Sequence, residues 1–212
     1  GRPVAQHQMR EVEIEGVRTF RFAAQLAATF RSGPVFLIGA AAHRVPPRGG
    51  TGMNTAVQDG FDLGWKLGFV LSGWAREDLL DTYETERRPI AAHNVERSAS
   101  ASGAIQPPEE ALVWDLDGRI AHHWVAPGIS TTDLPGRALT LLLGPSAQCD
   151  LVGAAGPVDL HTLDRSVCDA LGLPLAGGIL LRPDGKEVRR WTRLDAGVDP
   201  WEEFAAASRG TA

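Results

Sequence analysis

The sequence predicts an α/β fold in two parts, and three observations predict it. Short apolar runs closed by glycine or proline alternate with long helical patterns in the first part. A small-residue, proline-bearing tract, ASASGAIQPPEE, follows and reads as a linker. The remainder returns to short strands, a tight turn and short helices. The expected division is a segment over 1–98, a linker over 99–110 and a second unit over 111–212.

The elements are expected in the following order. Glu11–Phe22 reads as extended, with Val12 and Ile14 alternating with Glu11, Glu13 and Glu15 as in a half-exposed strand. Ala23–Arg31 reads as a short helix stopped by Ser32-Gly33-Pro34, and Val35–Ile38 as a short buried strand. After a glycine-rich loop, MNTAVQDGFDLGWKLGFVLSG is a helix ended by Gly73. Its Ala56, Gly60, Gly64 and Gly68 lie four apart and pave one stripe with small residues. Glycine inside a helix costs about 1 kcal/mol relative to alanine. The stripe therefore implies a close neighbour, equally another helix or a bound cofactor. Leu79–Tyr83 and the stretch from Glu84 onward continue as helix, with a kink or break expected at Pro89.

In the second unit, Arg137–Leu143, Val158–Leu163 and Ile179–Arg182 are strand candidates, and Lys186–Thr192 is the return strand after the turn Arg182-Pro-Asp-Gly-Lys186. Ser166–Leu171 and Pro200–Ser208 read as helices. Trp65 and Trp74 read as core and helix packing.

Bulk properties narrow the function. A chain of 212 residues, 43% hydrophobic and 22% charged, is an ordinary globular sequence. A net charge of −5 argues against a nucleic-acid partner. Apolar runs such as Ala138–Leu143, broken by Thr140, are too short to span a membrane, and the opening GRPVAQHQMREVEIEG lacks the apolar region of a signal peptide. Cys149 and Cys168 are expected to be reduced thiols, with no Cys-x-x-Cys pattern, which places the protein in the cytoplasm.

The chemistry concentrates in FLIGAAAHRVPPRGGTGMN, residues 36–54. A strand that ends in glycine and opens through a glycine-rich turn into a helix presents backbone N–H donors and the positive end of the helix dipole. That arrangement suits an electron-rich ligand, although a merely structural turn has the same texture. The spacing is neither Gly-x-Gly-x-x-Gly nor a Walker loop.

The stretch from Gly39 to Ala99 closely resembles the second flavin-binding region of the FAD-dependent aromatic hydroxylases, the monooxygenases related to phenol hydroxylase. It is most similar to the branch that oxidises aromatic polyketides of the tetracenomycin and anthracycline kind. The resemblance rests on Gly39, Ala41, Ala42 and His43, then Pro46-Pro47, Gly49, Gly50, Gly52 and Asn54. It continues through Asp59, Trp65-Lys66-Leu67 and Glu86-Arg87-Arg88-Pro89. Segments such as DLDGRIAHHWV, GRALTLLL and GGILLRPDGKEVRRW resemble the thioredoxin-like C-terminal domain of the same enzymes.

This resemblance implies a partial FAD-hydroxylase core followed by a thioredoxin-like domain without redox cysteines. The implied function is FAD-dependent hydroxylation of an aromatic polyketide, with NAD(P)H as co-substrate. Gly39, Pro46, Pro47, Gly49, Gly50, Gly52, Met53 and Asn54 would line the flavin, with N–H groups of Gly52, Met53 and Asn54 at its pyrimidine side.

Two departures accompany the match. Ala40 stands where the family carries an aspartate that binds a ribityl hydroxyl. Loss of such a bond costs about 1.5–3 kcal/mol, or roughly 10- to 100-fold in affinity. No Gly-x-Gly-x-x-Gly occurs in the chain, so the family's dinucleotide-binding unit is not represented.

The chain is accordingly expected to be a fragment, half of a split enzyme completed by a partner chain or a homodimer contact, or a short relative that works without flavin. The last would be a cyclase or isomerase using His43, Arg44 or Arg48 as polar groups, or a noncatalytic partner of a hydroxylase. His43 reads more readily as structural. His122 and His123, on a strand, would face opposite sides and chelate no metal. Asp62 and Lys66 form an ordinary i,i+4 pair, and Glu86, Arg87 and Arg88 read as salt-bridging within the fold. No metal site and no serine nucleophile is expected.

Overall fold

The computed structural model describes residues 15–47, 50–99, 116–153, 155–194 and 197–209. The expected linker over 99–110 lies almost wholly outside them, as do Glu11–Ile14 and Arg48-Gly49. Residues 15–22 form no strand and are exposed.

The expected helix over Ala23–Arg31 is not formed. Its residues instead contribute β1 (Gln25–Leu26) and β2 (Arg31–Ser32). β1 pairs antiparallel with β4 (His43–Arg44), and β2 with β3 (Val35–Phe36). Other segments take the backbone donors that a helix would have used. Ala27 N–H donates to the Ala42 carbonyl, and the Glu84 carboxylate accepts from both Phe30 and Arg31 N–H. Alanine's helix propensity is worth tenths of a kcal/mol per residue, and tertiary hydrogen bonds override it. The expected buried strand Val35–Ile38 is reduced to the two residues of β3, with Val35 and Ile38 exposed.

A 3₁₀ turn over Gly39–Ala41 leads into β4, and helix α1 (Gly52–Leu71) follows, stopped by Gly73 at φ +72°. A second 3₁₀ turn, Glu77–Asp81, precedes α2 (Thr82–Ala99). α2 runs unbroken across Pro89. Proline removes one internal hydrogen bond, and buried Tyr83, Ile90, Ala91 and Asn94 hold the helix on both sides of the gap.

Beyond residue 115, β5 (Trp124–Ala126) and β6 (Ile129–Ser130) form a small hairpin. His122 and His123 precede β5 and are not on a strand, which corrects the expected placement. Four strands then form a mixed sheet: β7 (Leu139–Leu143), β8 (Val158–Thr162), β9 (Gly178–Leu181) and β10 (Glu187–Trp191), in the order β10-β9-β7-β8. β7 pairs parallel with β8 and antiparallel with β9. α3 (Arg165–Leu171) connects β8 towards β9, and α4 (Pro200–Arg209) closes the described chain. β7 and β9 are buried throughout, which explains why both are mostly leucine and isoleucine, with Thr140 and Gly178 the exceptions. Gly185 at φ +79° makes the expected turn between β9 and β10.

One hydrophobic cluster joins the two parts. Trp65, Phe69 and Leu79 pack with Leu139, Leu141, Leu180, Trp201 and Phe204. α1 is thus packed against the C-terminal sheet and α4. Trp65 and Trp74 belong to this aromatic packing, as expected.

Candidate functional site

The glycine loop is positioned by one buried carboxylate. Asp59, on the second turn of α1, is fully buried; its Oδ2 accepts from Gly39 N–H at 3.1 Å and lies 2.7 Å from His43 Nε2. Its Oδ1 accepts from Arg87 Nε at 2.9 Å. Arg87 also donates to the Thr55 carbonyl, and Asn94 donates to the Thr55 hydroxyl. Asp59 therefore ties the turn, β4 and α2 to α1. The His43 side chain is buried in this network and paired with Asp59, an arrangement that serves the fold.

Gly39 adopts φ +54°, and a Cβ there would come within 3.1 Å of the Ala56 Cβ. Position 39 is therefore glycine for both conformation and space. Ala40 sits exposed beside it. Of the remaining expected site residues, Pro46 is half-buried and Pro47 exposed, and Gly50 N–H donates to the Pro47 carbonyl. Arg44 is exposed and donates to Gln25 Oε1. Arg48 and Gly49 lie outside the described residues.

Gly52 begins α1, and Met53 and Asn54 are exposed in its first turn. Thr51 precedes them without accepting a backbone N–H as a side-chain cap, and its buried Oγ1 has no partner among the described residues. An uncapped helix N-terminus with exposed N–H donors suits the electron-rich edge of a flavin ring. At this end the residues fit FAD. At position 40 they do not, because a methyl group accepts no hydrogen bond. The structure thus brings Gly39, Ala40 and His43 together around Asp59, with Gly52–Asn54 at the same end of α1.

Ala56 of the small stripe packs at Gly39, but its three glycines have no close neighbour among the described residues. A Cβ at Gly60, Gly64 or Gly68 would meet nothing within 4 Å. Tight helix packing within the described chain does not account for it. On the same side Met53, Val57, Phe61 and Leu71 are exposed.

The opposite side of α1 carries the expected Asp62–Lys66 pair, set inside a larger buried charge network. Lys66 is fully buried; its Nζ is 2.7 Å from Asp62 Oδ2 and 3.3 Å from Glu86 Oε1. Arg182, from the end of β9, donates to both Glu86 oxygens at 2.9 and 2.7 Å and to Asp184. The Arg182 and Lys66 cations also lie over the Trp65 ring. Burial pushes Glu86 upward, but its hydrogen bonds with Arg182 and the charges of Lys66 and Arg182 outweigh that and hold it at about 2. Asp62 is raised, because burial outweighs the attraction of Lys66 and Arg182. The carboxylates of Asp62, Glu86 and Asp184 lie close enough to hold a cation, but Lys66 and Arg182 already supply the positive charge. Glu86 and Arg87 thus salt-bridge within the fold as expected, and Arg88 Nε donates to the Ala27 carbonyl. The parts played by Arg182 and Asp184 were missed. The one signal for them was a charged, tightly turned Arg-Pro-Asp-Gly-Lys, which nothing in the sequence links to residues 62 or 86.

Comparison with known proteins agrees with this geometry. Residues 2–98 match the family model described as an FAD binding domain. The chain is 40% identical over 174 residues to 4-methyl-5-nitrocatechol 5-monooxygenase of a Burkholderia species, a match covering 76% of this chain and 31% of that protein. It is 33% identical over 229 residues to tetracenomycin A2 monooxygenase-dioxygenase of Streptomyces glaucescens, covering 82% of this chain and 41% of that one. Among solved structures, aklavinone-11 hydroxylase in complex with FAD and aklavinone superposes with a TM-score of 0.64 at 29% identity. That match covers 88% of this chain and 45% of the other. The chain spans less than half the length of these relatives. Sequence and fold agree, and over the part it spans the chain belongs to the FAD-dependent aromatic hydroxylase family.

Proposed function

We propose that the chain is the C-terminal part of an FAD-dependent hydroxylase of aromatic, polyketide-type molecules, and that it needs a dinucleotide-binding half from elsewhere to hold FAD. The observation that carries this reading is the open side of α1. Three small positions four residues apart, Gly60, Gly64 and Gly68, face empty space within a segment that matches an FAD-binding domain. Glycine at these positions costs helix stability, and a closely approaching polypeptide or cofactor offsets that cost.

In this reading 1–98 is the flavin-side segment, 99–110 the linker and 111–212 a thioredoxin-like domain. Gly39, Pro46, Pro47, Gly49, Gly50, Gly52, Met53 and Asn54 line the ring. Bound flavin would supply the oxygen-activating redox chemistry, with NAD(P)H as reductant and the cytoplasm as the setting. The chain's own task is to present the α1 N-terminal donors to the ring and to fix Gly39 through Asp59. Donors held rigidly at that place stabilise negative charge on the reduced ring.

Ala40 favours a second reading, in which the chain has left flavin chemistry. It would then act as a cyclase or isomerase or as a noncatalytic partner of a hydroxylase. One experiment separates the two. The chain is titrated with FAD alone and then together with a separately produced dinucleotide-binding half from the tetracenomycin relative, in wild type and Ala40→Asp. The hydroxylase reading expects micromolar FAD binding only in the mixture, tightened roughly 10- to 100-fold by Ala40→Asp. No flavin binding in either mixture supports the second reading.

A further inference from the structure

At the C-terminal end of α1, about 30 Å from its flavin-facing end by helix length, lies a cavity of about 440 Å³. Trp74, Leu79, Trp201, Phe204 and Ala205 form its walls, so residues before and after the linker meet there. Its size is that of a small-molecule site, and seams between packed units are common places for one.

The polar groups around it are hydroxyls, carboxylates and guanidiniums. The Thr82 hydroxyl donates to the Leu79 carbonyl, the Thr85 hydroxyl to Thr82 and the Ser208 hydroxyl to Phe204. These hydroxyls have already directed their protons to the backbone. Four carboxylates, Asp78, Asp81, Asp199 and Glu202, line the mouth against two guanidiniums, Arg76 and Arg209. Arg76 is bonded to Asp78 at 3.1 Å. Counting Arg31, which reaches Asp81 from the side, still leaves the mouth negative. The cavity therefore combines aromatic walls with acceptors and negative charge.

We propose that this cavity binds a small aromatic molecule carrying a positive charge, its ring against Trp74 and Phe204 and its cation at the acidic mouth. Aromatic walls reward ring burial. Asp78 and Asp81 are paired with Arg76 and Arg31, and Asp199 accepts from Trp201 and Glu202 N–H, so a cation in the mouth answers the remaining carboxylate charge, that of Glu202 foremost. The site is independent of the flavin reading and stands whether or not FAD binds.

The test uses a matched pair of probes, 1-naphthylmethylammonium and 1-naphthylacetate, titrated calorimetrically into the 212-residue chain. The ammonium is expected to bind about tenfold or more tighter than the carboxylate, a difference of about 1.4 kcal/mol. Ala205→Trp, which fills the cavity, should abolish binding. Glu202→Lys, at an exposed position on the mouth, should weaken the ammonium several-fold without touching the core, so the proposal is tested even if the tryptophan variant fails to fold. It is overturned if neither probe binds, if naphthylacetate binds as tightly, or if the Glu202→Lys chain binds the ammonium as wild type does.

Discussion

The two sides of α1 present opposite solutions to the same problem. On one side Trp65 and Phe69 enter an aromatic core with Trp201 and Phe204, and Lys66 and Asp62 enter a buried charge network with Glu86 and Arg182. On the other, Met53 is 75%, Val57 62% and Leu71 82% exposed, beside glycines whose missing side chains face empty space. The C-terminal sheet completes the first side. The second carries apolar and small residues with nothing described against it. One side of the helix is thus covered by described residues, and the other leaves apolar side chains in solvent, the kind of surface that accepts a further contact.

The sharpest way to break the contrast is to remove the cation that joins the halves. Arg182→Met leaves Glu86 and Asp184 without it, and loss of one partner from a buried ionic network costs about 3–5 kcal/mol. Urea unfolding of the purified chain should show that drop, whereas Arg88→Met, at a half-buried position outside the network, should cost far less. Asp59→Asn is next, since it weakens the bonds to His43 and Arg87 together; about 2–3 kcal/mol is expected, read from the shift in the same transition.

Gly156→Ala tests the aromatic side of the seam. Its Cβ would stand 2.6 Å from Trp74 Cγ and 2.7 Å from a Trp201 ring carbon, and overpacking of this kind costs about 1–3 kcal/mol. A thermal melt should fall accordingly.

Acid probes the same network. Glu86 titrates at about 2 in the fold against an ordinary 4.5, so the folded state binds that proton less tightly. The stability Glu86 contributes is present above 4.5 and is lost as pH falls towards 2. Asp62 is shifted the other way and contributes in the opposite direction. Glu86→Gln should therefore flatten the acid limb of a stability-versus-pH curve measured from pH 5 downward.

The smallest effect has the opposite sign. Gly64→Ala should stabilise the chain alone by about 1 kcal/mol, because helix propensity improves and no neighbour obstructs the methyl. The same change should impair assembly with a dinucleotide-binding half. A stabilised chain that assembles unimpaired would remove the open face from the argument.

Much of this was legible in local pattern. Gly73 after an apolar-periodic run stopped α1, and Pro183-Asp184-Gly185 set the turn between β9 and β10. The apolar runs at Arg137–Leu143 and Ile179–Arg182 were read as strands, and β7 and β9 lie there. Residues 23–31 misled because alanine content speaks for helix only while the backbone donors are uncommitted. Here Glu84 and Ala42 committed them.

The turn at Gly39 and the start of α1 after the glycine-rich loop were readable, since glycine placement reflects backbone conformation, which is a local property. Asp59 was visible on its helix, but its grip on Gly39, His43 and Arg87 was not. What the sequence by itself determined was therefore the elements with local causes: α1, the glycine loop, the sheet strands and the substitution at Ala40. Only the tertiary structure decided that Arg182 closes a charge network with Glu86, 96 residues away in the chain. It alone placed a cavity between the turn after α1 and α4, and left one face of α1 open. The physical reason is that charge pairing, cavities and unfilled faces depend on distances between elements, and no short-range pattern of residue types encodes those distances.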